Sequence, residues 1–305
     1  MSAYPLPAPV EETLPSAAQL REMSARDGMD ATTTLLYRRV LESARHGPFI
    51  RRVEEILKRG RPASWNVHAM LVIVPGGFYR ENPSSGADGR LLREQAGKLG
   101  CLTDLIPIAS TGMLQENARI ICEWLRSHRH RPVILASLSK GGADIKMALA
   151  QPDAAAAFEH VVGWVNLCGT LDGTPLAQWV HSLNPFAVLL RTYYHLRGQN
   201  LRFMRDLRYG PGSPLDFRLS LPSHIRMLSI VGFPLHEHLS NTVARSCYRR
   251  LSPLGPNDGA LILGDVCAQP GFVYPLWGAD HYLRPKTDVR ELISAILQYL
   301  AEELR

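Results

Sequence analysis

The stretch that decides the fold is Pro132 to Leu149, PVILASLSKGGADIKMAL. An apolar run, Val133 to Ala136, breaks into a serine flanked by small residues, and the chain then turns amphipathic. Such a pattern predicts a buried parallel strand that reverses into a helix within a few residues, with a serine at the tip in a strained backbone conformation. Strand and helix nearly touch at such an elbow, so the positions two before and two after the tip must be small. With Ser139 at the tip those positions are Ser137 and Gly141, backed by Gly142. With Ser137 at the tip, Leu135 would have to be small, so Ser139 is the expected nucleophile. The fingerprint is a variant of GxSxG in which Ser137 replaces the first glycine. A strand followed by an ordinary glycine turn would read similarly, and the rest of the chain has to supply the context.

The composition bounds that context. At 305 residues, with 46% hydrophobic and 20% charged residues, the chain is neither disordered nor fibrous and can bury a sizeable core. No apolar stretch reaches the length of a membrane span. The opening MSAYPLPAPVEETLPS lacks a basic start followed by an apolar run, and the expected location is cytoplasmic. Five scattered cysteines form no CxxC pair and read as buried thiols, not as a zinc site or disulfide framework. The net charge of +6 is carried partly by Arg51 to Arg61 and Arg202 to Arg208. It suits a solvated face, an acidic substrate or contact with an anionic membrane surface, and no nucleic-acid motif accompanies it.

Outward from the elbow the pattern alternates. Val67 to Val74 reads as a buried strand that runs into PGGFYRENPSSGADG; Leu91 to Leu99 reads as a helix closed by Gly100, Cys101 to Ile108 as a strand, and Leu114, Ala118, Ile121 and Leu125 as one helix face. After the elbow helix, His160 to Cys168 and Ile225 to Val231 read as further strands. This order predicts an α/β fold: a mostly parallel sheet with helices on both faces. Before the sheet lies an N-terminal segment, residues 1–64: a loose arm to about Ser16, then two helices carrying Leu36, Tyr37, Val40, Leu41 and Val53, Ile56, Leu57. The segment of about 170–222 breaks the alternation and is expected to be a largely helical cap over the C-terminal edge of the sheet. Glu237 to Arg250 reads as a helix, GFVYPLWGADHYLRP as a loop, and the stripe from Val289 to Leu300 as the closing helix.

A serine nucleophile needs a base and a carboxylate to orient it. His281, in the Gly-bounded loop WGADHYLRP just before the last helix, is the expected base, with His236 and His238 as runners-up. Asp258, in the PNDGA turn, is the expected acid, ahead of Asp265. Asp280 is adjacent to His281, and neighbouring side chains of an extended loop point apart. The N–H of Lys140, with that of Gly77 or Phe78 from PGGF, would receive the negative charge of a tetrahedral intermediate.

Taken together, PGGF, SLSKGG, NDG and ADH resemble the α/β-hydrolase superfamily from about Trp65 to the C-terminus. The NDG turn and the later histidine are similar to those of lipase branches such as the lecithin:cholesterol acyltransferase-like enzymes. Pro75 stands where many members have His, and Asp258 lies far beyond the preceding strand. The resemblance implies a residue 65–305 hydrolase domain that cleaves ester bonds of apolar acyl or aromatic substrates through Ser139, His281 and Asp258, with no metal or organic cofactor. A thioesterase or acyltransferase would use the same residues. A non-catalytic ligand binder or a scaffold on the same fold remain the alternatives of another class, and the sequence leaves the oligomeric state open.

Overall fold

The apolar runs form buried strands, and at the elbow the run Val133–Leu138 passes into a helix through a single residue, Ser139. The structure, a computed structural model, describes residues 13–60, 68–199, 201–239, 241–284 and 289–304. Three helices come first: α1 (Ala17–Asp27), α2 (Met29–Glu42) and α3 (Gly47–Arg59). They are followed by β1 (Met70–Val74), α4 (Arg90–Lys98), β2 (Thr103–Leu105), α5 (Leu114–Ser127), β3 (Val133–Leu138) and α6 (Lys140–Leu149). Next come the single turn α7 (Ala154–Ala157), β4 (Val161–Leu167), α8 (Pro175–Val180), α9 (Pro185–Leu196) and β5 (Arg226–Phe233). The chain continues through α10 (Thr242–Leu251), α11 (Leu263–Ala268) and β6 (Phe272–Trp277) to α12 (Val289–Glu303).

The six strands form one sheet in the order β2-β1-β3-β4-β5-β6, every pair parallel. Alternate residues feed opposite faces. Leu71, Ile73, Ile134 and Ala136 join the core beneath α2, α3, α4 and α12, while Val72, Val74, Val133 and Leu135 join the core beneath α5, α6 and α7. The α/β architecture with helices on both faces is therefore the one the alternation predicts. Among the described residues no helix is long and apolar enough to cross a membrane.

Four local readings change. The segment GFVYPLW is a strand, β6, and not a loop. Its Pro275 and flanking glycines mimic a turn, but β6 is the sheet edge, where proline is tolerated. The Val273 N–H points away from β5, to Nδ1 of the buried His46 at 3.2 Å. Pro275, two residues on, faces the same outer side, so its missing donor costs no ladder bond. The N-terminal segment contains three helices, not two: α1 begins directly after Ser16, whose hydroxyl accepts the Gln19 N–H while Gln19 Oε1 accepts the Ser16 N–H at 2.9 Å, a reciprocal cap. The Glu237 to Arg250 helix starts only at Thr242, after a 3₁₀ turn, and the Cys101 to Ile108 strand is confined to Thr103–Leu105. The start of the expected arm and the 64/65 boundary lie outside the described residues.

The N-terminal helices cover the β6 edge. Tyr37 packs on Trp277 with ring centroids 4.7 Å apart, and Phe49 stacks on Phe272 at 5.5 Å and meets Tyr299 of α12 edge-on at 4.9 Å.

A glycine pair tests the packing at the elbow. A Cβ on Gly141 would lie 2.3 Å from the Val74 carbonyl oxygen, whereas one on Gly97, exposed in α4, would meet nothing within 4 Å. Gly141→Ala should therefore destabilise the protein by roughly 1–3 kcal/mol or more, and Gly97→Ala should stabilise it by about 0.5–1 kcal/mol. Urea denaturation of both variants checks the contrast; equal effects would mean that the elbow is not tightly packed.

Candidate active site

Ser139 sits between β3 and α6 with φ 46° and ψ −114°, a conformation that costs a non-glycine residue about 1–3 kcal/mol. The turn is enforced by close approach. Gly141 passes over the end of β1, and a Cβ on Gly142 would lie 2.7 Å from Asn166 Oδ1. The Ser139 N–H donates to the Leu167 carbonyl at 3.0 Å, and its own carbonyl accepts the N–H groups of Gly142 and Thr170. Two close approaches and three hydrogen bonds thus hold a backbone that would otherwise relax.

Ser137 has a different environment. It is fully buried, accepts the Trp164 indole N–H at 2.8 Å and donates to Asn166 Oδ1 at 2.8 Å. Asn166 Nδ2 in turn reaches Ser229 Oγ at 3.4 Å. These residues form a polar row across β3, β4 and β5, closed to substrate.

His281 follows β6 in the turn whose shape is set by Asp280. The Asp280 carboxylate accepts the N–H groups of Tyr282 and Arg284 at 2.9 and 3.1 Å. His281 Nε2 lies 3.0 Å from Ser139 Oγ, and Nδ1 lies 3.0 Å from Asp258 Oδ2. An ionised carboxylate only accepts, so Nδ1 carries the proton and Nε2 is left to accept the serine hydroxyl. Asp258 is itself fully buried and pinned: Oδ1 accepts the N–H groups of Ala260 and Leu261 at 2.8 and 2.7 Å, and its carbonyl accepts the His281 N–H at 2.8 Å. The NDG turn supplies this geometry through Gly259, at φ 96°, and through Asn257, whose side chain accepts the Gly259 N–H.

Burial alone would push the His281 pKa down, and it is the largest single influence. The charge and hydrogen bond of Asp258, with a further contribution from Asp280, outweigh it and leave the pKa raised above 6.5. Cys168, at φ 46° after β4, lies close by; its sulfur, a carboxylate oxygen of Asp258 and a ring nitrogen of His281 fall within 4.8 Å of one another. Those three atoms have the donor types of a metal site, but the imidazole and carboxylate already share a proton, and burial drives the Cys168 thiol well away from ionisation.

Lys140 begins α6, so its N–H belongs to the first turn, which has no intrahelical acceptor. Its side chain is buried, with Nζ 2.8 and 2.9 Å from the two oxygens of Asp144. Burial raises the Asp144 pKa to about 6 against the opposing pull of Lys140 and Asn117. On the other side, the Phe78 N–H donates to the Ser110 carbonyl at 3.3 Å, and Phe78 has φ 59°. The Gly77 N–H makes no such bond among the described residues. Gly77 packs over the Lys140 stem and Phe203, with a Cβ position 3.6 Å from each.

The other candidates are placed elsewhere. Asp265 accepts the Tyr209 hydroxyl at 2.7 Å. The backbone N–H of His236 donates to Asp30, and Nδ1 of His238 accepts the Leu235 N–H. Ser139 and His281 open instead on a cleft of about 980 Å³ lined by Phe78, Tyr194, Phe203, Met204 and Leu207 among others. The cleft was not legible in the sequence, although the density of aromatic and aliphatic residues in 170–222 signalled an apolar wall.

The chain superposes on a metagenomic carboxyl esterase with a TM-score of 0.57 at 24% identity, covering 80% of each chain. It also superposes on the mature form of a Bacillus licheniformis lipase with a TM-score of 0.55 at 20% identity, covering 79% of this chain and 93% of that one. No family model matches the sequence, and no curated protein matches it. The likeness establishes the α/β-hydrolase fold.

Two measurements probe the site without reference to any reaction. In NMR titration His281 should hold its proton to a pH above 6.5, and Asp258→Asn should move the midpoint down, because burial is then left with less to oppose it. An unchanged midpoint would remove Asp258 as its partner. Ser137→Ala leaves the Trp164 N–H without its acceptor and should cost about 1–3 kcal/mol in urea unfolding.

Proposed function

We propose that the protein is a serine hydrolase that cleaves carboxylic ester bonds of substrates with an apolar acyl or aromatic group. The observation that carries this reading is the Ser139–His281–Asp258 relay, with both hydrogen-bond distances 3.0 Å, on a serine held in strained backbone at a cleft. Ser139 Oγ adds to the ester carbonyl as its proton passes to His281 Nε2. The charge that develops on the carbonyl oxygen is received by the N–H groups of Lys140 and Gly77; Gly77 is favoured over Phe78 because the Phe78 N–H is already spent on Ser110. His281 then protonates the departing alkoxide, and water, deprotonated by the same imidazole, releases the acid. Asp258 holds the tautomer and balances the imidazolium.

The base works only when deprotonated. Activity should therefore fall as pH falls through the raised His281 pKa, with the acid limb of kcat/KM centred above 6.5.

Labelling by a fluorophosphonate probe tests the nucleophile. Wild-type protein should be labelled at Ser139, and Ser139→Ala should lose labelling and reduce ester turnover by roughly four to six orders of magnitude while remaining folded. Full activity in Ser139→Ala would overturn the mechanism. Asp258→Asn should lower kcat by on the order of 10⁴, whereas Asp265→Asn, whose amide oxygen can still accept from Tyr209, should do little. In a series of p-nitrophenyl esters, each added acyl methylene should gain up to about fourfold in kcat/KM while it remains inside the cleft. A steady decline from acetate onward would contradict the apolar acyl site.

A further inference from the structure

Helix α9 carries its apolar stripe on the wrong side for a helix stabilised only by its own fold, since a surface helix ordinarily turns that stripe to the core. Its inward positions, 187, 190, 191 and 194, include only one fully buried residue, Ala187. A stripe at the same spacing faces outward and is apolar: Phe186 is 74% exposed, Leu189 67%, Tyr193 51% and Leu196 80%, with Leu183 at 91% just before the helix, while Thr192 and His195 are the exposed polar residues beside it. Six of the ten large apolar side chains exposed among the described residues fall between Leu183 and Leu196, so this is one patch and not scattered single residues. The patch borders the cleft: Tyr193, Tyr194 and Arg197 line it together with Ser139 and His281.

Charge accompanies the patch. From Gly173 to Tyr209 the chain has five arginines, at 191, 197, 202, 205 and 208, and one acid, Asp206, whose carboxylate accepts the Leu114 N–H at 2.9 Å. Arg197, Arg205 and Arg208 make no ion pair among the described residues. Arg197 reaches the patch itself, donating to the Tyr193 hydroxyl at 2.8 Å, and Arg205 and Arg208 are exposed, whereas Arg191 turns inward to the Ser182 carbonyl. The other arginine-rich stretch is different: Arg52 and Arg59 both pair with Glu55, and Arg52 also pairs with Glu302 of α12. Arg52 and Arg59 are thus neutralised on that side, whereas Arg197, Arg205 and Arg208 are not.

We propose that the α9 face docks on an anionic phospholipid bilayer, with the stripe of Phe186, Leu189 and Leu196 entering the headgroup region and the arginines meeting the lipid phosphates, so that the cleft mouth faces the membrane. An apolar partner surface alone would match the stripe and leave the arginines unmatched; an anionic interface matches both. The proposal does not rest on the esterase reading, and its test reads binding, not turnover.

The test is sedimentation of the full chain with vesicles of phosphatidylglycerol and phosphatidylcholine, against vesicles of phosphatidylcholine alone. Wild-type protein should pellet with the anionic vesicles, only weakly with the neutral ones, and progressively less as salt rises. Arg205→Gln with Arg208→Gln should weaken binding by about fivefold per arginine removed. Phe186→Ser, Leu189→Ser and Leu196→Ser combined should abolish it while leaving the melting temperature close to the wild-type value, because these side chains already largely face water. Equal binding to neutral vesicles, no binding by wild-type protein, or full binding by the triple variant would overturn the proposal. So would a concentration-dependent dimer that the triple variant loses, because the face would then belong to a second copy of the chain.

Discussion

The constraint on which the site depends is the passage of α6 across the end of β1 at Gly141. No side chain fits there, because a Cβ would sit 2.3 Å from the Val74 carbonyl and 2.8 Å from that of Pro75. Bringing the helix so close forces the chain to reverse in one residue, and the strained φ of Ser139 follows. The same approach brings the Lys140 stem beside Gly77, so the backbone at Gly77, Ser139 and Lys140 forms one packed unit.

Around that unit Asp258, Lys140 and Asp144 are buried and each has a partner of the opposite hydrogen-bonding or charge character. Asp258 is held by two backbone N–H groups on one oxygen and by His281 on the other, so its position does not depend on the imidazole alone. Lys140 and Asp144, both buried, satisfy one another within the first turns of α6. Breaking such a pair from one side leaves an uncompensated charge, so the Lys140 side chain next to Ser139 has a structural role in holding the first turns of α6.

The elbow was legible because its rule is steric and local: small residues at 137, 141 and 142 around Ser139 can be read without any tertiary information. Asp258 and His281 were legible from the chain order expected of this architecture and from their turns, not from a local steric rule, and the structure brings them together with Ser139. The choice between Gly77 and Phe78 was not, because it turns on a long-range bond to the Ser110 carbonyl. Strand β6 was hidden by Pro275, whose meaning depends on which side of the strand faces a neighbour. Helix α1 was readable in principle from the S-x-x-Q spacing at Ser16 and Gln19, but its few apolar residues gave no stripe. The apolar density of 183–196 was visible; that it faces outward is a property of the packed chain.

The two flanks of the sheet bear on how the molecule keeps to itself while folding. An open parallel sheet offers unpaired N–H and C=O groups at each end of its strand order, and these can recruit a strand from another molecule. At one end β2 is only three residues long and carries Asp104, whose carboxylate takes the N–H of Leu105, so it offers little to extend. At the other end Pro275 has no hydrogen to offer and His46 already holds the Val273 N–H. The N-terminal helices thus act as a guard on the last strand, and a chain lacking them would bare the one flank long enough to seed aggregation.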